Sequence, residues 1–424
     1  MIRVTLPALG ALLLVAATPA RAAQPLPVSF HAYRTAADFN APGSSFEGAR
    51  VTKGGSLTYG SSAGTTDYVD AYGSPARTYS YARWTSPWFQ TGFGFTELVS
   101  SWNAVTPAGT WIQVEMQATV DGGATSTKWY TMGRWASGAG DIHRNSVGGQ
   151  ADADGYVAID TFFAKDHPAV AYRLRLTLFR RAGSSSTPTL TRFSAIASNL
   201  TNEKNIFPSA TTMDGTTIDL GVPQYSQEIH HNEYPQFDGG GEAWCSPTST
   251  SMILAYWSRG PSPADYAYVQ SDYPNVVDPW VDFAAAHTYD YHYQGAGNWP
   301  FNTAYAASYG LQAEVTQLRS LNEAEQFIKA GIPLVASIAF EPNKLEGFLF
   351  RGTNGHLLTI VGFDKAGNVI SNDPAATSDA TVRRVYDRAQ FEKAWLRATG
   401  GIVYVIHPSS MPLPPPAVPS QPSW

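Results

Sequence analysis

One cysteine stands in the chain, Cys245, within Gly-Gly-Gly-Glu-Ala-Trp-Cys-Ser-Pro-Thr-Ser. Pro247 suits a first helical turn, and Met252, Ile253, Tyr256 and Trp257 recur behind it at helical spacing. Cys245 therefore falls at or just before a helix N-terminus, where unpaired N–H groups and the macrodipole favour an anion. A free thiol with a pKa of ~8.5 can fall to about 3.5–7.5 in such a place beside a histidine. The chemistry this prepares is attack of a thiolate on a carbonyl carbon. The bland alternative is a small, inert core residue.

A thiolate nucleophile needs a base, and the base needs an orienting group. Of nine histidines, His356 stands in Asn-Gly-His-Leu-Leu-Thr-Ile-Val-Gly-Phe-Asp, at the entry to an apolar strand. The turn Asp364-Lys365-Ala366-Gly367-Asn368 then leads into Val369–Ser371 and Asn372-Asp373-Pro374. Pairing Phe363 with Val369 in a hairpin sets His356 opposite about Ala376 and brings Asp373 to the same open end. Pro374 ends the strand there by excluding helical torsions from the residue before it. A structural histidine bonded to a loop carbonyl is the competing reading of His356. An oxyanion donor completes the set. Gln227, in Val-Pro-Gln-Tyr-Ser-Gln ahead of the cysteine, has a suitable side-chain N–H, with Gln224 and Gln236 as competitors and the Cys245 amide as a second donor.

Positioning these groups takes two kinds of structure. Residues 25–204 read as all-β, a β-sandwich or jelly roll. In Gly109–Val120, Ile112, Val114, Met116, Ala118 and Val120 alternate with polar residues. In Ala171–Phe179, Tyr172, Leu174, Leu176 and Leu178 do the same. Phe95–Trp102, Trp129–Trp135, Val157–Phe162 and Leu190–Ala197 are further strands between Gly- and Ser-rich loops. A polar linker is expected over 205–218. A mixed α+β domain follows over 219–407, with helix Thr248–Trp257, a helix opened by Asn322 and Glu325 as a capping pair and stopped by Gly331, and strands Leu334–Phe340, Leu357–Phe363 and Val369–Ser371. The tail 408–424 carries too much proline to pack and reads as flexible or polyproline.

The order Gln227, Trp244-Cys245 opening a helix, Gly355-His356 opening a strand and Asn372-Asp373-Pro374 closing the next resembles the papain-like cysteine peptidases. It most resembles the stand-alone peptidase C39-like family, related to transporter-borne peptidases that cleave bacteriocin leaders. Gly331-Ile332-Pro333-Leu334-Val335, Val361-Gly362-Phe363-Asp364 and the Tyr386…Phe391…Trp395 segment fit the same domain. The resemblance implies a papain-like fold over 219–407 and thiol-dependent hydrolysis of a peptide or other amide. Cys245 would be the nucleophile, His356 the base, Asp373 its orienter and Gln227 the oxyanion residue. The interval between Gln227 and Cys245, with His230, His231 and three glycines, is longer than the family's compact spacing. The front half resembles a galactose-binding-type jelly roll only loosely.

Composition sets the compartment and the exclusions. Arg3, the stretch Leu6–Ala17 and Ala20-Arg21-Ala22 form a secretory signal over 1–22 with a mature start near Ala23. Twelve residues span about 18 Å as a helix, short of a ~30 Å hydrocarbon core, so no transmembrane span is expected. A net charge of −6 without a run of Lys and Arg argues against nucleic acid. A single cysteine excludes an internal disulfide, and no cofactor is expected. His230-His231 and His287…His292 match no helical metal face, and Asp152-Ala153-Asp154-Gly155 reads as a turn. Against the hydrolase stands an inactive papain-like domain serving with the β-sandwich as a cell-surface or carbohydrate-binding protein. Trp84, Trp88, Trp102, Trp111, Trp129 and Trp135 would stack on sugar or cell-wall polymer, unless they are core residues.

Overall fold

A computed structural model describes residues 26–201 and 208–424; the expected signal 1–22, its cleavage before Ala23 and linker positions 205–207 lie outside the described residues. The front half is mostly β. Its second sheet centres on Arg77–Thr85, Ala169–Arg181 and Thr110–Val120, all antiparallel. Its first centres on Glu97–Val105 and Thr189–Ser198, with Val28–Tyr33 at the side of the latter. The period-two pattern is realised residue by residue: Tyr172, Leu174, Leu176 and Leu178 are fully buried, whereas Arg173 and Arg175 face outward and are half-buried. Trp84 of one sheet meets Phe193 of the other at 6.2 Å, so the two inner faces share one core. The segment expected as one strand over Val157–Phe162 is instead a tight hairpin, Gly155–Ala158 against Thr161–Ala164. Ile159 takes a positive φ of 58° there, and a single extended run was never available through it.

The rear half is α+β. Its antiparallel sheet runs Gln312–Gln317, Ile402–His407, Leu334–Phe340, Thr353–Phe363, Val369–Asn372 and Arg383–Tyr386. The helix Cys245–Tyr256 lies against it, and every residue from Ser246 to Leu254 is buried. Hydroxyls hold it in place: Ser249 donates to the Leu357 carbonyl at 3.2 Å, and Ser246 meets the Tyr404 hydroxyl at 2.9 Å. Thr248 and Ser251 of the same helix bury hydroxyls without a partner, and an unpaired hydroxyl in an apolar core costs about 1–3 kcal/mol.

The two halves are joined by buried contacts. Phe301 packs against Trp102 and Trp135 at 6.1 and 5.3 Å. Asn103 brackets Ala313, donating to its carbonyl at 2.6 Å and accepting from its N–H at 3.2 Å. Arg192 forms a buried ion pair with Glu314, and Arg144 donates to the Ala286 carbonyl at 2.9 Å. Ser209, within the expected linker, gives its N–H and hydroxyl to Glu392.

Three expectations are corrected here. The tail packs. Its carbonyls find donors in Phe30 N–H, which bonds Pro422 at 2.8 Å, and in Arg319, which bonds Gln421 at 2.5 Å. Trp424 is 7% exposed, lies 4.8 Å from Phe327 and donates to the Pro414 carbonyl. Proline has no N–H to satisfy, so acceptors alone must be matched. The helix Leu321–Lys329 is not capped by Asn322 and Glu325; its N-cap is Ser320, with no side-chain bond. Glu325 is buried and accepts from Thr211, Thr212 and Arg388, while Asn322 also accepts from Arg388. The Gly331 stop holds, with φ 78°. Finally, the hairpin starts in the expected register, Phe363 opposite Val369, and then slips at Val361. A bulge sets Ile360 opposite Ser371 and Thr359 opposite Asn372.

Candidate active site

That bulge matters because it re-aims the two ends of the hairpin. His356 enters the strand Thr353–Phe363 with only 6% of its surface exposed, and Asp373, just past Val369–Asn372, is fully buried. The imidazole Nε2 lies 2.8 Å from Asp373 Oδ1. With Nε2 so engaged, Nδ1 is the nitrogen left for Cys245, whose thiol lies near enough to the ring to help raise it. Cys245 is the first residue of its helix and stays partly exposed. The structure thus joins His356 to Asp373 directly and sets Cys245 beside the same ring. Phe348 covers the imidazole edge-on at 5.4 Å.

Asp373 is satisfied on both oxygens. Oδ1 also accepts from the Ala375 N–H at 3.1 Å, and Oδ2 accepts from the Tyr386 hydroxyl at 2.6 Å. Burial pushes this carboxyl up, but the facing imidazole and the two donors hold it below the ordinary carboxylate range. Burial likewise works against a charged His356, yet Asp373, with help from the thiol, raises it to about 10. Tyr386 was legible only as a landmark of the domain; its partnership with Asp373 depends on pairing of Val369–Asn372 with Arg383–Tyr386, which sets Tyr386 opposite Val369.

Gln227 lies beside this group but is occupied. Its Nε2 donates to the Glu242 carbonyl at 2.6 Å and to Glu228 Oε1 at 3.0 Å, while its Oε1 is buried without a partner. Its backbone N–H bonds the Pro374 carbonyl at 2.8 Å, tying it to the residue after Asp373. The competitors are elsewhere: Gln224 accepts from the Arg383 N–H, and Gln236 is exposed on the loop.

Other singled-out residues separate cleanly. Trp84, Trp102, Trp111 and Trp135 are core, at most 1% exposed. Trp88 and Trp129 are half-buried and stack with Arg173 and Arg175, the closest approach being Arg175 over Trp129 at 4.0 Å. Asp152 Oδ1 accepts from the Asp154 and Gly155 N–H groups, the geometry of a turn. His287 bonds the Phe283 carbonyl and His292 meets Tyr72, so these two do not converge. No helix among the described residues is long and apolar enough to cross a membrane.

Residues 29–198 match the family model for the peptidase C39 N-terminal domain, and residues 219–403 match that for the peptidase C39-like family. A crystal structure of a C39-like peptidase from Bacillus anthracis is similar at 18% identity, covering 45% of this chain and 97% of that one, with a TM-score of 0.28. The CBM22-1–GH10 modules of Clostridium thermocellum xylanase 10B, complexed with xylohexaose, align at 11% identity over 48% of this chain and 32% of theirs, with a TM-score of 0.19. A carbohydrate-binding module of the β-sandwich superfamily aligns at 11% identity over 39% and 60%, with a TM-score of 0.17. Among curated proteins, none matches the chain.

Tyr386→Phe removes one of the donors that hold Asp373 charged. Hydrogen bonds to charged groups contribute about 1.5–3 kcal/mol, and urea unfolding at pH 7 should show a loss of that order. Because the folded pKa of Asp373 lies below its unfolded value, its stabilisation is present above the unfolded value and disappears as pH falls through the folded one. The variant's acid limb should therefore move to higher pH; an acid limb identical to the parent's would contradict the role given to Tyr386.

Proposed function

From a chain that belongs to the C39-like peptidases by both of its matched segments, we propose an exported, thiol-dependent hydrolase of peptides or related amides. The single observation that carries this reading is His356 held on Asp373 through Nε2, with the Cys245 thiol beside the same ring. In the reaction, Cys245 attacks the substrate carbonyl carbon as a thiolate, its proton already carried by His356. The oxyanion is received by the Cys245 N–H, one of the groups a helix start leaves unpaired. His356 then protonates the departing amine, and water, deprotonated by the same imidazole, releases the acyl group. Asp373 keeps the ring in one orientation throughout.

Gln227 is the second oxyanion donor in this proposal. Its amide must exchange Glu228 for the substrate, and at 3.0 Å against 2.6 Å for the Glu242 carbonyl that is the longer of its two current bonds. The fold this reading assigns is a papain-like domain over 219–407 behind a β-sandwich of jelly-roll type over 25–204. The Arg3, Leu6–Ala17 and Ala20–Ala22 pattern supports export with a start near Ala23.

Iodoacetamide should label Cys245 rapidly at pH 6, and His356→Ala should slow labelling at least about tenfold by removing the proton acceptor. Gln227→Ala should lower kcat on a responsive library peptide by about 10²–10³ with the labelling rate retained. Equally slow labelling of parent and His356→Ala, or an identical peptide-library profile for Cys245→Ala, would withdraw the hydrolase.

A second reading rests on Trp88 and Trp129, the two tryptophans of the front half left half-exposed beside Arg173 and Arg175. It makes that sheet face an attachment site for a carbohydrate or cell-wall surface. Full-length protein should then be retained on an insoluble polysaccharide and released by Trp129→Ala; no retention of the parent would remove this role.

A further inference from the structure

The long interval between Gln227 and Cys245 folds into a loop with a buried charged cluster of its own. His230 and Asp282 are both fully buried, and Glu233 is 15% exposed at its side chain. Two carboxylates converge on one ring nitrogen: Glu233 Oε2 lies 2.8 Å and Asp282 Oδ2 3.0 Å from His230 Nδ1. That nitrogen has a single proton or a single lone pair to offer. Beyond that contact with the ring neither oxygen of Asp282 has a partner, and His230 Nε2 is unpartnered too. Two carboxylates against at most one imidazolium leave one carboxylate without a counter-charge, which is unfavourable for buried Asp282 unless it is protonated or meets a cation.

We infer that His230, Glu233 and Asp282 bind one divalent first-row transition ion of the zinc class, which pins the loop ahead of Cys245 to the helix Pro279–Thr288. A neutral imidazole with two carboxylates matches the charge of such an ion. Their donor atoms all lie within 4.8 Å of one another, against about 3.0–4.4 Å for ligands on a common metal with bonds of about 2.0–2.2 Å. Small movements suffice. One imidazole among the donors selects a zinc-like ion over calcium or magnesium, which prefer oxygen alone. The partly exposed Glu233 marks the side from which the ion enters.

What the ion would brace is specific. The His230 N–H bonds the Gln227 carbonyl, and Gly241 sits so close that a Cβ there would overlap the Gln227 carbonyl and the His230 backbone. Trp244, next to Cys245, lies 6.1 Å from the His230 ring and donates to the Phe237 carbonyl of the same loop. Anchoring His230 to the helix therefore holds the Gln227 segment and the approach to Cys245 together. The metal site stands whether or not the chain is a hydrolase.

The test uses full-length Cys245→Ala, because a thiol beside a histidine can itself take zinc. Chelator-stripped protein is titrated with zinc chloride, and in parallel with calcium chloride, by calorimetry and by thermal unfolding. We expect one equivalent of zinc, at least about 100-fold tighter than calcium, and a rise in Tm of at least about 3 °C at saturating zinc. Adding Asp282→Asn should abolish both, and Glu233→Gln, at the more exposed edge, should weaken binding at least about tenfold if Asp282→Asn does not fold. No binding tighter than millimolar, or an undiminished equivalent in Glu233→Gln, would overturn the site.

Discussion

A fully buried carboxylate and a nearly buried imidazole, 2.8 Å apart, are the constraint on which the rest of the rear half depends. Desolvating such a pair costs several kcal/mol per ion unless geometry and further hydrogen bonds compensate. Here they do: Asp373 receives His356, the Ala375 N–H and the Tyr386 hydroxyl, so no lone pair of consequence is stranded. The pair is assembled from three neighbouring strands. His356 comes from one, Asp373 from the end of the next, and Tyr386 from the last, and the bulge at Val361 sets their offset. The sheet's order is thus the order of the contact chain.

The cysteine reaches this pair from outside the sheet, carried by a helix that polar contacts fix in place. Ser246 on Tyr404 and Ser249 on Leu357 tie the first turns to strands on either side of the centre. The front half supports the far edge of the same sheet. Asn103, Arg192 and the Trp102–Phe301–Trp135 stack seat the strand Gln312–Gln317 and the helix Trp299–Ala307 in a core common to both halves. The tail closes over that junction through Trp424 and the Arg319 contacts. One rigid frame follows from these contacts, rather than a peptidase-like domain swinging on a free tether.

Much of this was legible in the residues. Alternating runs such as Tyr172–Leu178 declare their buried face because side-chain direction in a strand has a period of two. Pro247 with the apolar spacing behind it placed Cys245 at its helix start, and it is the first helical residue. The Gly-rich turn and Pro374 placed His356 and Asp373 at one end of a hairpin. What stayed hidden shares a cause: it depends on partners distant in the chain. The slip at Val361 has one local marker, Gly362, but what that glycine makes room for is the Ile218 carbonyl, which arrives from far back in the chain. Glu325 looked like a cap because it follows Asn322 by three, but a buried Arg388, sixty-three positions on, claims it. Prolines in the tail argued for disorder until Arg319 and Phe30 supplied donors. His230, Glu233 and Asp282 carry no motif spacing at all, because Asp282 arrives on a separate helix.

The protonation state of His356 tests the central claim most directly. Nitrogen NMR of the ring, with isotope-labelled histidine in the full-length protein, reads both nitrogens as a function of pH. A His356 raised to about 10 by Asp373 should remain an imidazolium at pH 8, and Asp373→Asn should bring its titration back toward the ordinary histidine range of about 6.5. A parent protein whose His356 is already neutral at pH 8, titrating as the Asp373→Asn variant does, would contradict the account.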